Sequence, residues 1–282
     1  MNHTAALHLP LHAGLAPLLS SLYSAPVSAS PCPPQARDLP AVSELNALLR
    51  AGHCNGAGLP IRFAAPSALT DADEGYEARI WRSGEIITRP DNWHDALNAL
   101  AWIAFPQTKR ELNRLHCRHQ PAAAPPGGKP MHGTARGTAR DALTLFDEDG
   151  LLVACADPAL AALLAGFHWK ELFWQQREAV VRCMRFHVFG HGLADKLRAP
   201  FRGLTAKARV FAVDATELQQ PPAQQLAAID ARAAAWLREP AALASTRVYS
   251  PLPVLGIPGW HADNAGAGYY DDTWQFRPGR RV

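Results

Sequence analysis

Histidine, aspartate, asparagine and lysine recur at helical spacing between positions 91 and 116. Asp91, Asp95, Asn98 and Trp102 stand at i, i+4, i+7 and i+11, which puts them on one stripe of a helix. His94 and Asn98 are neighbours at i, i+4, and beyond Pro106 the residues Lys109, Asn113 and His116 follow i, i+4, i+7. A surface helix has to specify only its apolar stripe, so an organised polar stripe is a candidate site. Imidazole and carboxylate suit acid–base work or metal ligation, and an ammonium beside a carboxamide suits an anion or a carbonyl oxygen. The plainer reading is that Asp91 and Asp95 favour a helix N-terminus and that Lys109 pairs with Asn113 on a wet face.

Two further groups carry chemistry. His187 and His191 have the i, i+4 spacing that brings two imidazoles to one metal on a helix. Val188 stands where a zincin carries its glutamate, so a metalloprotease is not supported; one core histidine and one surface histidine would give the same spacing. Arg140-Asp141 enters the run Ala142-Leu143-Thr144-Leu145-Phe146, with Asp141 expected in an ion pair and Asp147-Glu148-Asp149 as solvated turn acids. The candidate catalytic residues are therefore His94, Asp95, His191 and Asp141. Asn98, Lys109, Asn113, His116 and Arg140 are the candidates for holding substrate. No cofactor and no metal is assigned.

The elements that must position these residues follow from local signals. Asp91 or Asn92 offers an N-cap for a helix to about Ala104, and Pro106 stops it and starts a second helix to His119. Ser43 could cap a short helix, and Pro60 to Phe63 reads as a strand. Segments 76–81 and 85–88 flank Ser83-Gly84 as a hairpin. Residues 120–139 contain Pro125-Pro126-Gly127-Gly128 and two Gly-Thr-Ala-Arg copies, and read as a mobile loop. Segments 142–146 and 151–154 form a strand-turn-strand around Asp149-Gly150; the acids there are too bunched for an EF-hand. Asp157-Pro158 starts a helix, and a longer one spans 174–197 with a bend near Gly190. A strand follows at 205–213, a helix at 219–238, and an ordered tail from Ser250 whose Trp and Tyr residues seal the core. Without regular βαβ alternation the fold class is α+β: a mostly helical single domain with a small antiparallel or mixed sheet built from hairpins. Residues 1–40 form a partly irregular N-terminal segment, and 41–282 the domain, with the loop at 120–139.

Composition narrows the classes. The 282 residues are 48% apolar and 19% charged, which fits a globular chain, and a net charge of +3 is too slight by itself to support a nucleic-acid partner. No apolar run approaches the roughly 20 residues of a membrane-spanning helix, so no membrane partner is expected. Leu15 to Tyr23 is apolar, but no Lys or Arg precedes Arg37, so a short helix is preferred to a secretory leader. Five cysteines without a CxxC pair are neither a disulfide framework nor a zinc ribbon, and a reducing cytoplasm is the simplest compartment.

Asn92-Trp93-His94-Asp95, Leu97-Asn98-Ala99-Leu100, Trp102, Phe105-Pro106, Lys109 and Leu112-Asn113 together resemble the bacterial family DUF3025. The likeness continues through Arg140 to Glu148, Phe189-Gly190-His191, Pro200-Phe201 and Gly203 to Lys207. It ends with Pro253 to Trp260, Asn264 and Phe276-Arg277-Pro278, and so covers roughly residues 40 to 280. The resemblance implies one unit spanning the chain and a bacterial source; it carries over no activity and no residue role. The expected function is a small-molecule enzyme, with a hydrolase as the reaction class. His94 or His191 would be the acid–base, Asp95 or Asp141 an orienting carboxylate or metal ligand, and Lys109 with Asn113 would hold a small anionic ligand. The alternative is a non-catalytic binder of an anionic metabolite or nucleic acid through Lys109, Arg136, Arg140 and Lys207. The deciding feature is whether these side chains converge in one cleft.

Overall fold

The computed structural model describes residues 39–66, 75–119, 135–243 and 245–279. The expectations for the N-terminal segment up to 38 and for 120–134 lie outside the described residues. Elements run α1 (Val42–Ala47), β1 (Arg62–Ala64), α2 (Tyr76–Ser83), β2 (Glu85–Ile87), α3 (Trp93–Ala104), α4 (Pro106–Arg118) and α5 (Ala135–Asp149). They continue with β3 (Gly150–Cys155), α6 (Pro158–Ala165), a π-helical turn (Glu171–Gln175), α7 (Arg177–Cys183), β4 (Met184–Val188) and α8 (His191–Lys196). Last come β5 (Thr205–Ala212), α9 (Pro222–Leu237) and β6 (Ser250–Pro253). The α+β class and the single-domain architecture hold.

A mixed sheet of order β4-β3-β5-β6 forms the centre, with β3 parallel to β5 and the two outer pairs antiparallel. Every residue of β3 is buried, which is why Gly-Leu-Leu-Val-Ala-Cys is a continuous apolar run instead of an alternating one. Pro251 and Pro253 sit on β6, an edge strand where a missing N–H costs least. Helices cover the sheet, and Phe146, Phe105, Phe189, Trp236 and Tyr249 form an aromatic cluster beneath them, with Phe146 and Phe189 centroids 4.9 Å apart. The tail closes the core as expected: Trp260, Tyr270 and Phe276 are buried, and buried Asn264 donates to the carbonyls of Leu255 and Ile257. Among the described residues no helix is long and apolar enough to cross a membrane.

Four sequence expectations are corrected, and the sheet is not built from hairpins. Segment 76–83 is a helix, and Gly84 at φ 72° is its left-handed C-cap, donating to Ile80 O. A glycine that can turn a hairpin can equally end a helix. The strand after it pairs parallel with β1. Segment 142–149 is the end of α5: Ala139, Ala142, Leu143 and Phe146 are buried at i, i+3, i+4 and i+7, a helical stripe that outweighs the Asp-Gly turn signal. The second Gly-Thr-Ala-Arg copy lies inside this helix, so the mobile-loop reading fails for 135–139. Finally, 174–197 is not one helix. Its middle is β4, paired along β3, and the chain turns at Gly190 into α8.

Local chemistry explains the two helices that open the site. The Asn92 Oδ1 accepts from the Asp95 N–H at 3.0 Å, capping α3. Pro106 is the first residue of α4, whose free N–H groups are met from α9: Gln107 and Thr108 donate to the Asp230 carboxylate at 3.0 and 2.8 Å. Arg198, just after α8, lies 4.0 Å over the Trp93 ring and holds α8 against α3.

Candidate active site

A cleft of about 460 Å³ opens where the starts of α3 and α8 meet the end of α5. α3 presents His94, Asp95 and Asn98 to it, α4 presents His116, α5 presents Arg140, Thr144, Asp147 and Glu148, and α8 presents His191. At its floor the His191 Nε2 lies 3.5 Å from the Glu148 Oε1, and the His94 Nε2 lies 3.9 Å from the same oxygen. The two imidazoles meet edge to face with centroids 4.5 Å apart. His191 is buried, whereas the side chains of His94 and Glu148 are 41% and 39% exposed.

Behind His191 runs a buried polar chain. Its Nδ1 faces the Asp147 Oδ2 at 3.9 Å. Asp147 accepts from the Lys109 Nζ at 2.6 Å, and Lys109 also donates to the Asn98 Oδ1 at 2.9 Å while lying over the Trp102 ring. The Asn98 Nδ2 donates in turn to the Tyr76 hydroxyl at 2.6 Å. Burial works against the Asp147 charge, but Lys109 and then His191 hold its carboxyl below the usual range. His191 beside Glu148 does the same for that carboxyl, against the opposing effect of burial. The Tyr76 ring has an exposed face, but its hydroxyl is enclosed, and burial followed by the nearby Glu77 and Asp147 charges pushes it up. It therefore stays protonated, and because it accepts from Asn98 its own proton is free to donate.

Not every residue expected at the site is there. His94, Asp95, Asn98, His116, Arg140 and His191 line the cleft. Asp95, however, is engaged by Arg89, whose Nε and Nη2 donate to it at 2.8 and 2.9 Å and whose backbone N–H adds a third bond; it fixes Arg89 on the rim and orients no histidine. Lys109 is buried behind the cleft and already paired. Asn113 turns away: it accepts from the Gly56 N–H and donates to the Glu77 carbonyl and carboxylate. Asp141 is exposed on α5 and does not line the cleft. Of the proposed cationic set, Lys207 lies on β5 and does not line it either, and the Arg136 side chain lies outside those described.

His187 and His191 do not form a pair, because one is on a strand and the other begins a helix. His187 is buried, neither ring nitrogen has a hydrogen-bond partner among the described residues, and burial pushes its pKa down to about 4. Sequence reasoning missed Asp147, Glu148 and Tyr76. The signal that locates the two acids was present: the helical stripe ending at Phe146 makes them the last turn of a helix. Gly190 and Gly192 explain how α8 comes so close. A Cβ at 190 would meet the Glu148 O at 2.4 Å and the Gly150 N at 2.5 Å, and one at 192 would meet the Glu148 Oε2.

A family model described as a protein of unknown function, DUF3025, matches residues 61–280. No curated protein and no solved structure matches the chain.

Proposed function

We propose that this chain, which belongs to the DUF3025 family, is a hydrolase of small molecules whose water is activated at His94, Glu148 and His191. One observation carries the reading: residues distant in sequence, on α3, α5 and α8, converge in one cleft around a buried, charge-supported imidazole. In the reaction the water oxygen bonds to the electrophilic carbon or phosphorus as the bond to the departing group breaks; one water proton passes to the cluster, and the departing group keeps the bonding pair and collects a proton. His116 stands on the substrate side as proton donor, the Tyr76 hydroxyl can offer a hydrogen bond there, and Arg140 on the rim suits an anionic substrate. The Tyr76–Asn98–Lys109–Asp147 chain orients His191. The described cysteines, Cys54, Cys117, Cys155 and Cys183, are free thiols, which fits a reducing compartment such as a cytoplasm.

The non-catalytic binder is the weaker reading. Of the four cations it needs, Lys109 is neutralised by Asp147 and Lys207 is elsewhere. The test is a panel of carboxylic ester, amide and phosphate ester substrates given to the purified chain. Glu148→Gln and His191→Asn are expected to lower kcat/KM about 100-fold or more with the fold intact by circular dichroism. No turnover of any class, or turnover that both variants retain, overturns the proposal; a thermal shift with anions but no turnover would favour the binder.

A further inference from the structure

We propose that His94, Glu148 and His191 bind one divalent first-row transition-metal ion. Each offers a ligand atom, and the three atoms lie within 4.8 Å of one another. Bonds of about 2.0–2.1 Å at tetrahedral angles separate ligand atoms by about 3.4 Å. The 3.5 Å and 3.9 Å distances from Glu148 to the two imidazoles need only a small contraction to reach that value. Two imidazole nitrogens and one carboxylate oxygen disfavour magnesium and calcium, which take oxygen cages, and match zinc, cobalt or iron(II).

Two independent observations point to a ligand at this spot. First, the His191 side chain is 7% exposed, and its Nδ1 has no hydrogen-bond partner among the described residues. A buried imidazole nitrogen so poorly satisfied is costly, and a metal on Nε2 places the ring proton on Nδ1, the nitrogen that faces Asp147. Asp147 stands behind Nδ1 at 3.9 Å, where a small closure lets its carboxylate accept that proton and fix the tautomer, an arrangement that ligating histidines almost always use. Lys109 and Asn98 hold that carboxylate from the far side. Second, Gly192 leaves no side chain where the Glu148 carboxylate sits, so the backbone of α8 is shaped to admit it. His94 and Glu148 face the open cleft, so the fourth position is left for water.

The proposal rests on reading this cleft as a reaction site, but its test is binding. Protein stripped with a chelator is titrated with Zn2+ by calorimetry and with Co2+ by absorption. One equivalent of each is expected, with intense visible Co2+ bands of a four-coordinate site. His94→Ala and Glu148→Gln should each weaken Zn2+ binding about 100-fold or more, and Asp147→Asn about 10–100-fold. His187→Leu should leave affinity unchanged. Failure of the wild-type chain to bind either ion overturns the proposal. So does affinity that survives His94→Ala and Glu148→Gln, or that falls as far in His187→Leu. A bound metal with no turnover of any substrate would refute the hydrolase reading alone, whereas turnover by a chain that binds neither ion would refute the metal alone.

Discussion

A lysine ammonium buried to the extent of Lys109 persists only beside a carboxylate, and Asp147 supplies it at 2.6 Å. Lys109→Met keeps the apolar stem over Trp102 but strands the Asp147 charge. Urea denaturation should show a loss of about 3–5 kcal/mol, most of it recovered in Lys109→Met/Asp147→Asn. Equal losses in the single and double variants would mean that Lys109 acts by packing alone. At this scale the sequence revealed which residues are organised better than what each does. Asn98 and Lys109, which the helical spacing marked while leaving a wet face open, are buried. The spacing could not tell that Lys109 and Asn113 serve the scaffold, because their partners, Asp147 and Glu77, are far along the chain. Asp95 looked like the natural partner of its neighbour His94, yet the Arg89 guanidinium reaches it first.

Among the elements, the approach of α8 to the end of α5 decides the site, and two glycines permit it. They should answer substitution differently. At Gly190 an added methyl meets rigid backbone, so Gly190→Ala is expected to cost about 1–3 kcal/mol. At Gly192 it first meets the tip of the Glu148 side chain, which can swing aside, and only then the Glu148 backbone O at 3.0 Å, a milder contact than those at Gly190. Gly192→Ala should therefore melt close to wild type yet lose Zn2+ affinity and activity together. Calorimetric melting with Zn2+ titration checks both, and a Gly192→Ala protein that binds Zn2+ normally would show that the carboxylate position is not set there. α3 and α4 were legible because Asn92 and Pro106 act within a few residues of themselves. β4 was not, since Met184 to Val188 becomes a strand by pairing with β3, and strand formation depends on neighbours more than on intrinsic preference. α5 was lost to the local strength of Asp-Gly.

For the molecule as a whole, His187 sets a stability that depends on pH. Its folded pKa of about 4 lies below the unfolded value of 6.5, so the unfolded chain takes up its proton first as pH falls. Stability is full above pH 6.5 and declines from there toward pH 4, by up to about 3 kcal/mol from this residue. His187→Leu should flatten that decline between about pH 6.5 and 5.5 in urea melts, a range above the usual carboxylate titrations; an unchanged slope would show that the ring is solvated. The same strand neighbourhood has a consequence for synthesis. β3 is apolar on both faces, and its parallel partner β5 emerges from the ribosome only after α6, α7, β4 and α8. Until then this fully buried strand has at least one of its backbone edges unpaired, and slow production or early termination before β5 would expose it to neighbouring nascent chains.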